Sequence, residues 1–154
     1  MDFIKKHIEW IPVLIIAGIF LPTLPMKFGG APVTDHIFMT VGQFLGLGFF
    51  ETSGAKIIGS LELLSVILLL VPKLRAFGAL LASGLMAGAI FFHLASPLGV
   101  VVRWQENGEM QEMPDLFIMA IIAFASALWL VLRHKDTLLA ILGKSGTSSD
   151  DTTS

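Results

Sequence analysis

Glu62 sits near the middle of Ala55–Pro72, AKIIGSLELLSVILLLVP, a stretch otherwise apolar enough to lie in a bilayer. An ionised carboxylate in hydrocarbon is costly unless it is paired, hydrogen-bonded or wetted, so it marks a place where specific chemistry is done. Lys27, His93 and Asp115 are ionisable groups close to other apolar runs. Glu62, His93 and Lys27 are the candidate proton-exchange or ligand-contact groups. Gly59 and Ser65 stand three residues either side of Glu62, and Met86, Ala89 and Ser96 share the helical face of His93. This spacing predicts a pocket lined by Gly59, Ser65, Met86 and Ala89, suited to an amphipathic small molecule.

Each group also has a plainer structural use. Glu62 can be half of an interhelical ion pair, Lys27 can snorkel to the interface, and His93 can be a hydrogen-bonded interface residue. Asp115 suits the first turn of a helix, where an acid complements the dipole. One histidine with one carboxylate is a poor metal site, and no metal is expected.

The elements that must position these groups follow from composition. The 154 residues are 55% hydrophobic and only 14% charged, and the mean hydropathy is +0.81; soluble domains carry about a quarter charged residues. The sequence therefore predicts an all-α integral membrane four-helix bundle, with the lipid bilayer as its first partner. A net charge of −2 without a basic block gives no support for nucleic-acid binding. Without cysteine there is no disulfide, thiolate nucleophile or zinc-thiolate site, so redox chemistry needs a bound cofactor or a partner.

Four spans are predicted, at about 8–26, 55–72, 74–96 and 115–133, in a single domain over 1–142. Pro22 and Pro25 are expected to bend or end the first. No small-x-small cleavage site follows its apolar run, so it reads as a span rather than a signal peptide. The Gly- and aromatic-rich segment Met26–Gly54 is too broken to span, and Ile37–Phe50 reads as a short amphipathic helix capped by Asp35 or Thr34, a lid over one mouth of the bundle. His36 and Glu51 read as loop residues. Gly84 and Gly88 form a small-xxx-small pattern whose expected use is close helix packing; the pattern alone does not specify a homo-oligomer. RWQENGEMQEMP reads as a polar loop with Arg103 against acids and Trp104 as an anchor, Asp136–Leu142 as an interfacial turn, and 143–154 as a disordered tail.

Lys5, Lys6, Lys73, Arg75, Arg133, Lys135 and Lys144 fall on one side, Lys27, Lys56 and Arg103 on the other, so seven against three predicts both termini in the cytoplasm (N-in/C-in) and the amphipathic helix outside. If the second span enters at Gly54, Glu62 lies about 12 Å into a core about 30 Å thick. His93, about 27 Å along the returning helix from Arg75, then lies near the same outer boundary.

LPTLPMKFGGAP, HIFMTVG and GSLELLSVILLLVPKLRAFGALLASGLMAGAIFFHL in succession resemble the DoxX family of four-helix bacterial membrane proteins, over Phe20–Leu94. The matching positions are Lys27, Gly59 with Glu62, and Ala89 to His93; Asp35 and His36 cannot be aligned to the family. The resemblance implies a multi-pass protein of the bacterial inner membrane and a subunit of a redox or stress complex, an oxidoreductase linked to quinone, with a soluble or membrane oxidoreductase as partner. A quinone is chemically compatible with a buried carboxylate beside His93 or Lys27. Two other classes fit the same residues: a transporter for a small hydrophobic or weakly acidic solute, gated by Glu62, and a non-catalytic anchor for a soluble partner.

Overall fold

The computed structural model describes residues 2–147. Helix α1 (Asp2–Ile8) leads with hardly a break into α2 (Trp10–Gly29), followed by α3 (Pro32–Leu45), α4 (Gly48–Leu70), α5 (Arg75–Ala95), a hairpin of β1 (Val102–Glu106) and β2 (Glu109–Met113), α6 (Asp115–Arg133) and α7 (Lys135–Thr147). Four helices are long and apolar enough to cross a membrane: Phe3–Gly29, α4, α5 and α6. They pack in a ring, α2 on α4, α4 on α5, α5 on α6 and α6 on α2. The core they share is built from Val13, Ile16, Phe20, Leu69, Ala79, Ala82, Ala123 and Leu130, and large apolar side chains such as Leu14, Ile67, Leu80 and Ile122 are left exposed around it. This inside-out pattern is that of a multi-pass membrane protein, whose outward faces are solvated by lipid.

Several boundaries differ from the sequence expectation. Helix α2 runs through Pro22 and Pro25 to Gly29 rather than ending near them. Packing of Phe20 and Leu24 in the interior holds it, and the Thr23 hydroxyl donates to the Phe20 carbonyl at 2.8 Å in the same stretch. The glycines of the next segment end helices instead of preventing them: Gly30 and Gly46 take left-handed C-cap positions at φ +71° and +69°. The short helix is thus Pro32–Leu45, not Ile37–Phe50, and it starts with Pro32 at its first turn, without a side-chain cap from Thr34 or Asp35. Phe50 and Glu51 belong to α4, which begins at Gly48 instead of residue 55, and His36 lies in α3. Glu62 is consequently about 21 Å along its helix, near the middle rather than close to the start.

The fold is not purely helical. Asn107 and Gly108, at φ +54° and +83°, make the two-residue turn of a hairpin in which Arg103 faces Glu112 and Glu106 faces Glu109. Positive φ at both positions is the type I′ requirement, and Asn-Gly is its strongest sequence signal. Arg103 pairs with Glu112 at 3.1 Å, both largely exposed, and the Trp104 indole donates to Glu106 at 3.2 Å. The stretch read as an interfacial turn is part of α7, and that helix extends to Thr147, past the start of the expected tail; 148–154 lie outside the described residues.

At the end of the bundle where α1 meets α2 and α6 meets α7, Glu9 gathers two arginines and a histidine. Its carboxylate accepts from Arg75 Nη1 at 3.0 Å and from Arg133 Nε at 2.9 Å, and stands 3.3 Å from His134 Nε2. Arg75 is 2% exposed, donates from Nε to the Leu69 carbonyl at 3.0 Å and lies 4.5 Å over the Trp10 ring. Trp10 is therefore a partner of this knot.

Helix spacing between α4 and α5 is set at Gly78. A Cβ there would meet the Leu69 nitrogen at 2.7 Å and the Ser65 carbonyl oxygen at 2.9 Å, both backbone atoms that cannot step aside. Gly84 and Gly88, expected to do this, have nothing within 4 Å of a Cβ position. Gly78→Val is expected to lower stability by about 1–3 kcal/mol, whereas Gly84→Ala gains up to about 1 kcal/mol from helix propensity. Thermal unfolding in detergent micelles measures both, and equal losses would show that Gly78 does not set the spacing.

Candidate functional site

Lys27 lies in the last turn of α2 and Glu62 in the middle of α4, and the packing of the two helices brings them together. Nζ of Lys27 donates to Glu62 Oε2 at 2.6 Å and to the Thr23 hydroxyl at 2.8 Å, while that hydroxyl donates onward to the Phe20 carbonyl. The carboxylate side chain is 5% exposed and the lysine 15%, so Lys27 is an interior ion-pair partner and not a snorkelling one. Gly59 makes the approach possible: a Cβ there would press on Phe28 at 3.3 Å and on the Lys27 stem at 3.4 Å. Its role is to seat the lysine on α4, and it is not part of a pocket wall.

The pair forms part of the wall of a cavity of about 290 Å³ inside the bundle, close to the lower limit for small-molecule sites. Ile19, Phe20, Ile58, Met86 and Ala89 give it an apolar lining, and α3 closes it with Val33, Thr34, Ile37 and Phe38. Gly84, exposed on the flank of α5, and half-buried Gly88 also belong to the lining, so the missing side chains hollow out the wall instead of tightening a helix contact. The pattern at Gly84 and Gly88 was legible, but spacing alone does not distinguish a contact from a hollow.

His93 lines the same cavity and is 6% exposed. Its Nδ1 lies 2.6 Å from the carbonyl oxygen of Gly99, which a left-handed turn at φ +74° presents to the ring. A carbonyl can only accept, so Nδ1 carries a proton and Nε2 is the ring nitrogen left for other partners. The edge of Phe117 packs at 5.6 Å and holds the ring plane. Asp115 is not brought to the cavity: it occupies the first turn of α6, and its neighbour Leu116 is the lining residue. Ser65 is displaced from its expected role too. Fully buried, it donates to the Gly78 carbonyl at 2.9 Å and ties α4 to α5 where they touch.

Of the expected lining, Met86 and Ala89 are in place, and Gly59 and Ser65 serve helix contacts. Thr34, which the sequence suggested as a cap, faces the cavity instead, 5% exposed and without a side-chain hydrogen bond among the described residues. The signal for it was helical spacing, since Ile37, Phe38 and Val41 follow at three, four and seven residues on one apolar face. No group of three or more metal-ligating side chains occurs among the described residues. The chemistry available is a ring nitrogen at His93, a hydroxyl at Thr34 and a lysine–carboxylate pair, in an otherwise apolar hollow.

No protein-family model, curated protein or solved structure matches the chain. The resemblance to the DoxX family thus rests on the residues that carry it, and the site is read from its own geometry.

Lys27→Met leaves the Glu62 carboxylate buried and unpaired and is expected to cost about 3–5 kcal/mol, whereas Lys27→Met with Glu62→Leu recovers most of that loss. Unfolding of the three proteins in one detergent makes the comparison. A double variant as unstable as the single one would mean that pairing is not what makes the lysine necessary.

Proposed function

We propose that this protein is a DoxX-like subunit of a membrane redox or stress complex, which holds a quinone or similar amphipathic small molecule in the cavity bounded by Lys27, Glu62 and His93. The observation that carries the reading is that these three residues, from three helices, line one apolar hollow. They are also the positions on which the family resemblance rests. In this reading the complex lies in the bacterial inner membrane with both termini cytoplasmic, following the excess of basic residues at the Glu9 end. The cavity then opens within the outer half of the bilayer, under the external helix α3.

The ion pair suits such a site in two ways. Its net charge is near zero, so an uncharged head group can enter without adding charge to a low-dielectric space. It also offers a proton-bearing amine and a carboxylate near the head group, the arrangement that proton exchange with a quinone needs. The apolar lining accommodates a tail.

Protein extracted in mild detergent is expected to carry one quinone or similar lipid per chain, identified by mass spectrometry of the solvent extract. Glu62→Gln, which breaks the charge pair while keeping size, is expected to lower retention about tenfold, the loss of one charge-assisted hydrogen bond. Protein that carries no such molecule, or carries it equally well as Glu62→Gln, would refute the proposal.

A further inference from the structure

The cavity contains two hydrogen-bonding groups that the protein itself does not use. Among the described residues, His93 bonds through Nδ1 alone, and Thr34 has no side-chain hydrogen bond. Both side chains are more than nine-tenths buried and both line the hollow. Neither His93 Nε2 nor the Thr34 hydroxyl is among the sealed, unpartnered atoms of the interior, so each keeps a hydrogen-bonding capacity that a molecule entering the hollow can take up. The ion pair, by contrast, is already matched: Lys27 serves Glu62 and Thr23.

These unpaired groups define the head group of the ligand. With Nδ1 bonded to Gly99, the uncharged form of the His93 ring offers a lone pair at Nε2, which a donor satisfies and an ether or bare carbonyl does not. Thr34 can donate or accept. A carboxylate or ammonium head would bring a net charge to a place where Lys27 and Glu62 cancel. We propose that the cavity takes a small neutral apolar molecule bearing a hydroxyl, whose O–H donates to His93 Nε2 and whose second polar contact in the same cavity is Thr34. This inference rests on the cavity being a ligand site, as proposed above, and specifies which form of head group it selects.

Three probes with the same tail separate the possibilities: para-heptylphenol, its methyl ether para-heptylanisole, and para-heptylbenzoate. Each is titrated onto the full chain in nanodiscs, and bound ligand is quantified by mass spectrometry. The phenol is expected to bind about tenfold more tightly than the ether, one buried hydrogen bond, and more tightly than the benzoate. The preference for phenol over ether should vanish in His93→Phe and shrink about threefold in Thr34→Val. Because His93→Phe also loses the Gly99 bond, Thr34→Val, which keeps volume and leaves that bond intact, stands as the second test. Equal binding of phenol and ether overturns the head-group assignment while leaving the ligand site standing. Tightest binding of the benzoate, or a preference unchanged in both variants, overturns it as well. If none of the three binds, the ligand-site reading falls with it.

Discussion

Placing a lysine and a glutamate against each other inside a membrane helix bundle fixes more than their own positions. The charges belong to α2 and α4, and their 2.6 Å contact tolerates no sliding of one helix along the other. A shift of a single turn, about 5.4 Å, would strand both ions in hydrocarbon. Thr23 and Gly59 extend the constraint, the first by holding the lysine head and the second by admitting its stem. The register of two helices, the seat of a third residue and one wall of the cavity therefore depend on one interaction.

Helices α4 and α5 show how glycine can serve opposite ends within one helix. At Gly78 the absent side chain lets backbones touch, and Ser65 bridges the contact to the Gly78 carbonyl. Two and three turns further along, at Gly84 and Gly88, the absent side chains create room that no neighbour fills. The cavity lies at the level of Gly84 and Gly88, away from the close contact at Gly78. The depth of Glu62 on α4 places the carboxylate beside this opening instead of at the crossing.

Apolar runs broken by short loops were enough to find the four long helices, because bilayer thickness sets their length and leaves little choice. Lys27, Glu62 and His93 were legible for a related reason, since polar groups in apolar helices are too costly to be incidental. What could not be read was direction. Ser65 and Gly59 flank Glu62 at helical spacing, yet they turn to α5 and to Lys27, which depends on helix packing that no single-helix pattern contains. Gly30 and Gly46 lie in a segment whose glycines suggest a broken chain, yet each closes a helix, a distinction that rests on backbone conformation. Asn107-Gly108 is a hairpin signal, but the acidic composition around it is equally that of a solvated loop. Glu9 carries no such local signal: its partners Arg75 and Arg133 are 66 and 124 residues away, and only the closed ring brings them together.

That knot bears on the order in which the protein can be completed. Glu9 is made early, Arg75 joins it only after the third long helix begins, and Arg133 arrives at the end of the fourth. Until then the carboxylate has part of its final compensation, and the second cation clamps first helix to last. Synthesis proceeds from the N-terminus, so the knot acts as a latch that cannot shut on a truncated chain. A chain that stops before α6 leaves uncovered the apolar flanks of α2 and α5 that pack against it, where a chaperone or a membrane protease would find them.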